Sequence, residues 1–245
     1  SGQPVLVSLM LANNETGVIQ PVAEAAALTR RHGQLIHCDA VQAAGKIPVN
    51  MPALGVDFLS LSAHKLGGPQ GVGALVVRSG VVLEACVKGG GQERSRRAGT
   101  ENVPGIAGFG AAAAIAAAEL TEAAERVRKL RDRLEAGVRA ANPRAVVYGS
   151  GAPRLPNTSC IGLPGRSAEI QMMELDLAGI AVSSGAACSS GKVRASHVLE
   201  AMGLDPEAAG CAIRVSLGWA SSAGDIDRFL EAWSRLAADR GTAAA

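Results

Sequence analysis

Aromatic residues are nearly missing: three Phe, two Trp and one Tyr among 245 residues. Neither sign of charge prevails either, with 24 Lys and Arg against 22 Asp and Glu for a net charge of +2. Composition therefore gives no reason to invoke nucleic acid or an anionic membrane surface as a partner. No apolar stretch reaches the length of a spanning helix without polar interruption, and no basic segment followed by an apolar one opens the chain. Neither a membrane span nor an export signal is expected. The five cysteines, Cys38, Cys86, Cys160, Cys188 and Cys211, are scattered, odd in number and free of any CxxC pair. That argues against a disulfide framework or an intrinsic metal site, and for a reducing, cytoplasmic setting. What remains is an alanine-rich chain, 48% hydrophobic and 19% charged. These proportions suit an ordinary globular protein with a substantial core, in one large domain or two smaller ones.

Strand and helix signals alternate through the first half. "VLVSLML" (Val5 to Leu11) is an apolar run of strand length, and "AEAAALTRRHG" reads as a helix with Gly33 at its C-terminal cap. "QLIHCD" (Gln34 to Asp39), "VDFLSLS" (Val56 to Ser62) and "GALVVR" (Gly73 to Arg78) follow as further strands. Apolar strands without polar alternation, separated by helical segments, predict a mostly parallel sheet in an α/β domain. From Pro104 an alanine-rich segment to Arg139 predicts one long helix or two joined end to end, whose charge run "ELTEAAERVRKLRDRLE" is most simply a solvated face. Shorter units follow: strands near "AVVYG", "TSCIGL", "IAVSS" and "AIRVSLG", and helices over "SAEIQMMELDLAG", "ASHVLEAMG" and "DIDRFLEAWSRLAAD". They suit a smaller α+β domain, with domains expected at 1–118 and 119–245.

In α/β sheets ligands bind beyond the carboxyl ends of the strands, where Asn14, Asp39 and the Ser62 to Lys65 segment would lie. The stretch "LSLSAHKLGG" sets Lys65 where an apolar run stops and glycines begin. Taken alone, such a lysine is a solvated surface residue, and Asp39 is equally well a cap for the segment after it. A desolvated lysine in that place would instead have a lowered pKa, the condition for condensing with a carbonyl. A strand-end Asp with a strand-end Lys is what pyridoxal phosphate requires: an amine for its aldehyde carbon, and a carboxylate to keep the ring nitrogen protonated. Many α/β domains would contain such a pair by chance.

Six separated segments carry a further signal: "ANNETGVIQP", "HCDAVQAAGK", "LSLSAHKLGGPQGVGALVVR", "GGGQERSRRAGTEN", "AVSSGAACSSG" and "IRVSLG". In order and spacing they resemble cysteine desulfurases, fold-type I pyridoxal-phosphate enzymes of the class V aminotransferase group. The resemblance implies a cofactor anchored on Lys65, which would also move protons at the substrate α-carbon. It implies that Asp39 pairs with the pyridine nitrogen, and that Asn14 and Gln42 bond the ring hydroxyl. Ser62 and His64 would bind the phosphate, and Thr100 would reach the phosphate in a partner subunit of a homodimer. The bland alternative for His64 is a core histidine satisfied by backbone.

Cys188 sits among small residues, where by itself it is as readily a buried small residue as a nucleophile. The resemblance makes it the thiol that takes sulfur from the substrate, L-cysteine, leaving alanine and a persulfide for an acceptor such as an iron–sulfur scaffold protein; Cys188 would then be the one candidate for a shared iron–sulfur ligand. Arg214, otherwise an odd charge inside a strand, would bind the substrate carboxylate, a task Asn14 would share. At Trp219 some relatives have arginine. Relatives also have about a further third of chain before the position where this one begins, with a phosphate-binding turn and a ring that stacks on the pyridine. The chain is therefore expected to be a C-terminal portion with an incomplete large domain, associated with an N-terminal fragment. Two other readings stay open: a selenocysteine lyase or aminotransferase relative of the same fold, and an inactive fragment acting as a binding or assembly partner.

Overall fold

The computed structural model describes residues 5–184 and 195–238. The chain divides into two compact units, Ser1–Ala12 with Gln20–Leu120, and Asn13–Ile19 with Thr121–Ala245. Against the expected domains of 1–118 and 119–245, the division falls at Leu120, and Asn13–Ile19 groups with the second unit. That segment is a tight turn in which Asn13 Oδ1 accepts from the main-chain N–H of Glu15 and Thr16, each at 2.9 Å. Its far end bonds to later chain, with Ile19 N donating to the Pro153 carbonyl and Leu155 N to that of Gly17.

The first unit starts with β1 (Leu6–Met10), α1 (Val22–Arg31), β2 (Leu35–Asp39), α2 (Met51–Leu54) and β3 (Phe58–Ser62). A 3-10 turn at Ala63–Leu66 leads to β4 (Gly73–Val77), and α3 (Gln92–Ser95) precedes the long α4 (Val103–Ala141), whose first part belongs to this unit. The sheet order is β1-β2-β3-β4. β1, β2 and β3 run parallel and β4 antiparallel, so the expected α/β class with a mostly parallel sheet is found. Alternation puts Ile36, Cys38 and Leu59, all buried, on one face of the sheet. A cavity of about 350 Å³ adjoins that face, lined by apolar side chains that include Leu59, Leu61, Leu66, Val76 and Phe109. The opposite face carries Leu6, Leu35 and Leu75 in exposed positions.

α4 corrects two expectations. Val103 to Ala118 contains no charged residue, and an 18-residue window of this helix reaches a mean hydropathy of 1.5 with 11% of it buried. By length and composition it could cross a membrane, which the expectation of no such stretch had overlooked. Alanine causes this, because each counts as apolar while removing little surface from water. Nor is the charged second half merely a solvated face. Glu135 is 4% exposed, held between Arg154 and Ser159.

The second unit adds β5 (Val146–Tyr148), β6 (Thr158–Gly162), α5 (Ala168–Leu177), β7 (Ser183–Ser184), α6 (His197–Ala201), α7 (Pro206–Gly210), β8 (Ala212–Ser216) and α8 (Ala223–Ala238). Its sheet, ordered β5-β6-β8-β7, is antiparallel throughout. The core joins Leu134 and Val138 of α4 to Ile161, Leu175, Ile213 and Trp233. Phe229 and Trp233 stack along α8 with ring centroids 6.0 Å apart, four positions apart and so on one helix face.

Candidate active site

In the first unit the parallel strands β2 and β3 end side by side, with Asp39 in register with Ser60. Asp39 is half-buried and its Oδ1 accepts from the Val41 N–H at 2.9 Å. The capping role open to it from sequence is thus filled by one oxygen, while Oδ2 receives no hydrogen bond among the described residues. Gln42 lies half-buried in the turn that follows. At the end of β3, Ser62 Oγ and His64 Nδ1 are hydrogen-bonded at 2.9 Å. His64 is exposed, which removes the alternative of a core histidine.

Lys65 projects from the 3-10 turn and is exposed. That matches the solvated lysine the stretch suggests when taken alone rather than a desolvated one: β3 stops at Ser62, and Lys65 lies in the turn beyond it. Gly67 closes the turn at φ 91°, a left-handed conformation that a side chain would strain. Its N–H and that of Gly68 both bond the Ala63 carbonyl. Thr100 is exposed in the segment after α3, and within α3 itself Glu93, Arg94 and Ser95 all have positive φ.

These residues fit pyridoxal phosphate in chemistry. An exposed primary amine suits the aldehyde, and a carboxylate oxygen without a donor suits a protonated ring nitrogen. A hydroxyl and an imidazole bonded to each other at 2.9 Å bring two residue types able to donate to phosphate oxygens to one place. All lie at the carboxyl ends of neighbouring strands, where the open α/β sheet leaves main-chain ends to meet a ligand.

In the second unit Arg214 is central in β8, in register with Cys160 of β6 and Ser183 of β7. Its Nη1 donates to the Asn14 carbonyl at 3.0 Å, while its buried Nε has no partner among the described residues. A buried guanidinium N–H left unmet is costly, and the fork has the geometry for a carboxylate. Asn14 is thus tied to Arg214 by its main chain, and its exposed side chain stays available. Cys188 lies outside the described residues. Trp219 is 87% exposed, with its carbonyl held by Arg126 Nη2 at 2.7 Å.

One polar link went unnoticed in the sequence. Ser8 Oγ meets His37 Nδ1 at 2.8 Å, and His37 Nε2 meets Ser60 Oγ at 2.6 Å, stitching β1, β2 and β3 beside the strand ends. Alternation of His37 with Asp39 along β2 was the available signal. Burial, with the Asp39 charge beside it, pushes the Cys38 thiol up to about 11. Burial, aided by Glu15, pushes Cys160 up to about 12. Both are structural, since the thiolate is the reactive form. Cys86 is exposed. Brief native alkylation should therefore label Cys86 and spare Cys38 and Cys160 by peptide mass mapping. Among the described residues no group of three or more His, Cys, Asp or Glu could hold a metal ion.

Comparison with known proteins agrees with this geometry. The profile of the aminotransferase class-V family matches residues 1–229. The cysteine desulfurase of Cereibacter sphaeroides is 52% identical over 94% of this chain and 59% of its own length, and that of Gluconacetobacter diazotrophicus 49% identical over 94% and 58%. The chain thus spans somewhat under two thirds of the curated relatives it matches. The solved NifS-like protein from Rickettsia africae superposes with a TM-score of 0.87 at 40% identity, over 94% of this chain and 61% of that one. A structure described as SspA in complex with cysteine superposes with a TM-score of 0.68 at 28% identity, over 86% of this chain and 58% of that one. Proteins of the matched family are pyridoxal-phosphate-dependent. An amine, a carboxylate oxygen without a donor among the described residues and a serine–histidine pair at the carboxyl ends of β2 and β3 are what that cofactor calls for, and the chain belongs to the aminotransferase class-V family.

Proposed function

We propose that this chain acts in a cysteine desulfurase, converting L-cysteine to L-alanine with the sulfur retained as a persulfide on Cys188. The observation that carries the reading is the placing of Asp39 at the carboxyl end of β2 and of Ser62, His64 and Lys65 at that of neighbouring β3, in a chain 52% identical to a cysteine desulfurase. The cysteine held by the SspA structure supports the substrate class. Lys65 Nζ would hold the cofactor and would take the proton from the substrate Cα. Asp39 Oδ2 keeps the ring nitrogen protonated, Ser62 and His64 bind the phosphate, and Asn14 and Gln42 orient the ring through its hydroxyl. When bound, pyridoxal phosphate supplies an electron sink that weakens bonds around the substrate Cα. Arg214 holds the substrate carboxylate with its fork, an interaction that satisfies the orphan Nε.

Cys188 Sγ attacks the substrate sulfur. The new S–S bond forms as the substrate C–S bond breaks, the bonding pair stays on carbon, and that carbon takes up a proton. The balance is L-cysteine plus thiol giving L-alanine plus persulfide. The protein acts as a homodimer in which Thr100 serves the partner's cofactor phosphate, and the persulfide passes to an acceptor protein such as an iron–sulfur scaffold.

The test is a single turnover with L-cysteine on the purified, cofactor-loaded protein. One alanine should form per sulfur gained by the Cys188 peptide, and a thiol reductant should remove that sulfur. Alanine release with no sulfur on Cys188 would sink the persulfide step. No alanine despite cofactor bound at Lys65 would sink the reaction.

A further inference from the structure

Lys46 closes the segment "HCDAVQAAGK", yet neither the resemblance nor the proposed chemistry gives it a role. Its Nζ donates to the main-chain carbonyl of Lys65 at 3.1 Å. Gly45 beside it sits at φ 72°, and a Cβ there would lie 3.3 Å from the Cβ atoms of both Leu66 and Ala116. The chain thus passes close against the Lys65 turn, in a backbone conformation that favours glycine.

The segment is continuous with the cofactor's other anchor. It starts where Asp39 Oδ1 caps Val41, continues as Ala44 N bonds the Ala40 carbonyl at 2.9 Å, and ends as Lys46 N bonds that of Ala43 at 3.0 Å. One hydrogen-bonded turn therefore carries the Asp39 carboxylate at its start and the Lys46 ammonium at its end, and the ammonium grips the turn that bears Lys65.

We propose that Lys46 is a positioning residue: it fixes the main chain of the Ala63–Leu66 turn and so sets the place of the Lys65 amine relative to Asp39. The proposal rests on the reading that Lys65 anchors pyridoxal phosphate. The placement is costly for a lysine, which would ordinarily extend its amine into water. Lys46 is half-buried, next to Gly45 and Ile47 on the wall of the apolar cavity. Burial, with the Lys65 charge adding, lowers its pKa to about 8. A surface lysine with no task would avoid both penalties. The distance to be set is the one between the group that meets the ring nitrogen and the group that meets the aldehyde. A pair so separated is sensitive to errors well under 1 Å.

The test compares Lys46→Met, of similar length without charge, with Lys46→Arg, which keeps a cationic donor. In the purified protein without cofactor, amides in the peptide spanning residues 63–68 should exchange with deuterium ~10-fold faster in Lys46→Met and at the original rate in Lys46→Arg. Pyridoxal phosphate titration by visible absorbance should show ~10-fold weaker binding in Lys46→Met and rescue by arginine, the loss expected for one charge-assisted hydrogen bond. Unchanged exchange in Lys46→Met would overturn the proposal, as would faster exchange with unchanged cofactor affinity, or an arginine variant as impaired as the methionine one. Borohydride trapping and peptide mapping of the unsubstituted protein tests the other reading separately. An adduct on another lysine refutes Lys65 as anchor, and the exchange measurement still decides whether Lys46 holds the turn.

Discussion

Replacing Lys65 with alanine should abolish borohydride-trapped cofactor and lower L-cysteine turnover by roughly 10³-fold or more, the scale at which a positioned proton carrier contributes, with loss of the covalent anchor added. The same change should scarcely affect folding. Lys65 is exposed at the tip of a four-residue turn, and surface substitutions without buried partners stay within about 0.5 kcal/mol. Loss of chemistry without loss of stability separates a catalytic lysine from a structural one. Thermal unfolding and visible absorbance on the same sample check both arms. The other lysines with described surroundings are poor substitutes. Lys46 is committed to the Lys65 carbonyl, while Lys88 and Lys129 pair with Glu84 and Glu125 on exposed surface. Trapped cofactor that persists on one of them in the alanine variant, with turnover intact, would refute the assignment. A small amine added to the variant should restore part of the turnover, because the missing group is a proton acceptor of defined chemistry rather than a packing element.

How much of this was legible beforehand depended on whether a signal was local. β2 and β3 were readable because their largely apolar runs are short and followed by turn residues, and Asp39, Ser62 and His64 follow directly from where those strands stop. A solvated Lys65 was the plain reading of its stretch, but the 3-10 turn that bears it was not readable, since four residues have no periodicity to reveal it. α2 and α7, of four and five residues, escaped for the same reason: each rests on one side-chain cap, from Asn50 and Asp205, and a proline near its start rather than on a hydrophobic stripe. Lys46 escaped for a different reason. Its bond to the Lys65 carbonyl spans 19 positions, and a lone lysine after a glycine reads as solvated. The solvated-face reading of the α4 charge run failed at Glu135 because its partners, Arg154 and Ser159, are distant in sequence.

Glu135 underlies the second large effect. It is 4% exposed, and the Arg154 fork meets its two carboxylate oxygens at 2.8 and 2.9 Å. Ser159 Oγ donates to Oε1 as well, so the contact ties α4 to β6 and to the loop before it. Glu135→Ala leaves the Arg154 guanidinium buried, its side chain 6% exposed, with no counter-charge. Removing one partner of a buried pair typically costs about 3–5 kcal/mol, enough to unfold much of a marginally stable unit. Both tryptophans, Trp219 and Trp233, lie in the second unit, so their fluorescence during urea denaturation reports this loss directly. Replacing both partners, Glu135→Met with Arg154→Leu, should recover most of the stability, because the cost lies in the orphaned charge rather than in the absence of the pair. The pH dependence follows from the carboxyl's shift. Burial alone would raise it, but the bonds from Arg154 and Ser159 and the charges of Arg154 and Arg131 prevail and hold it below the usual 4.5. A carboxyl depressed in the folded state binds its proton more readily in the unfolded one. Its contribution is therefore full above about pH 4.5 and is lost as pH falls through the folded value. The stability gap between the natural protein and Glu135→Gln should accordingly narrow on acidification below that point. A gap that stayed constant or widened would mean that the ionised carboxylate is not what Arg154 holds.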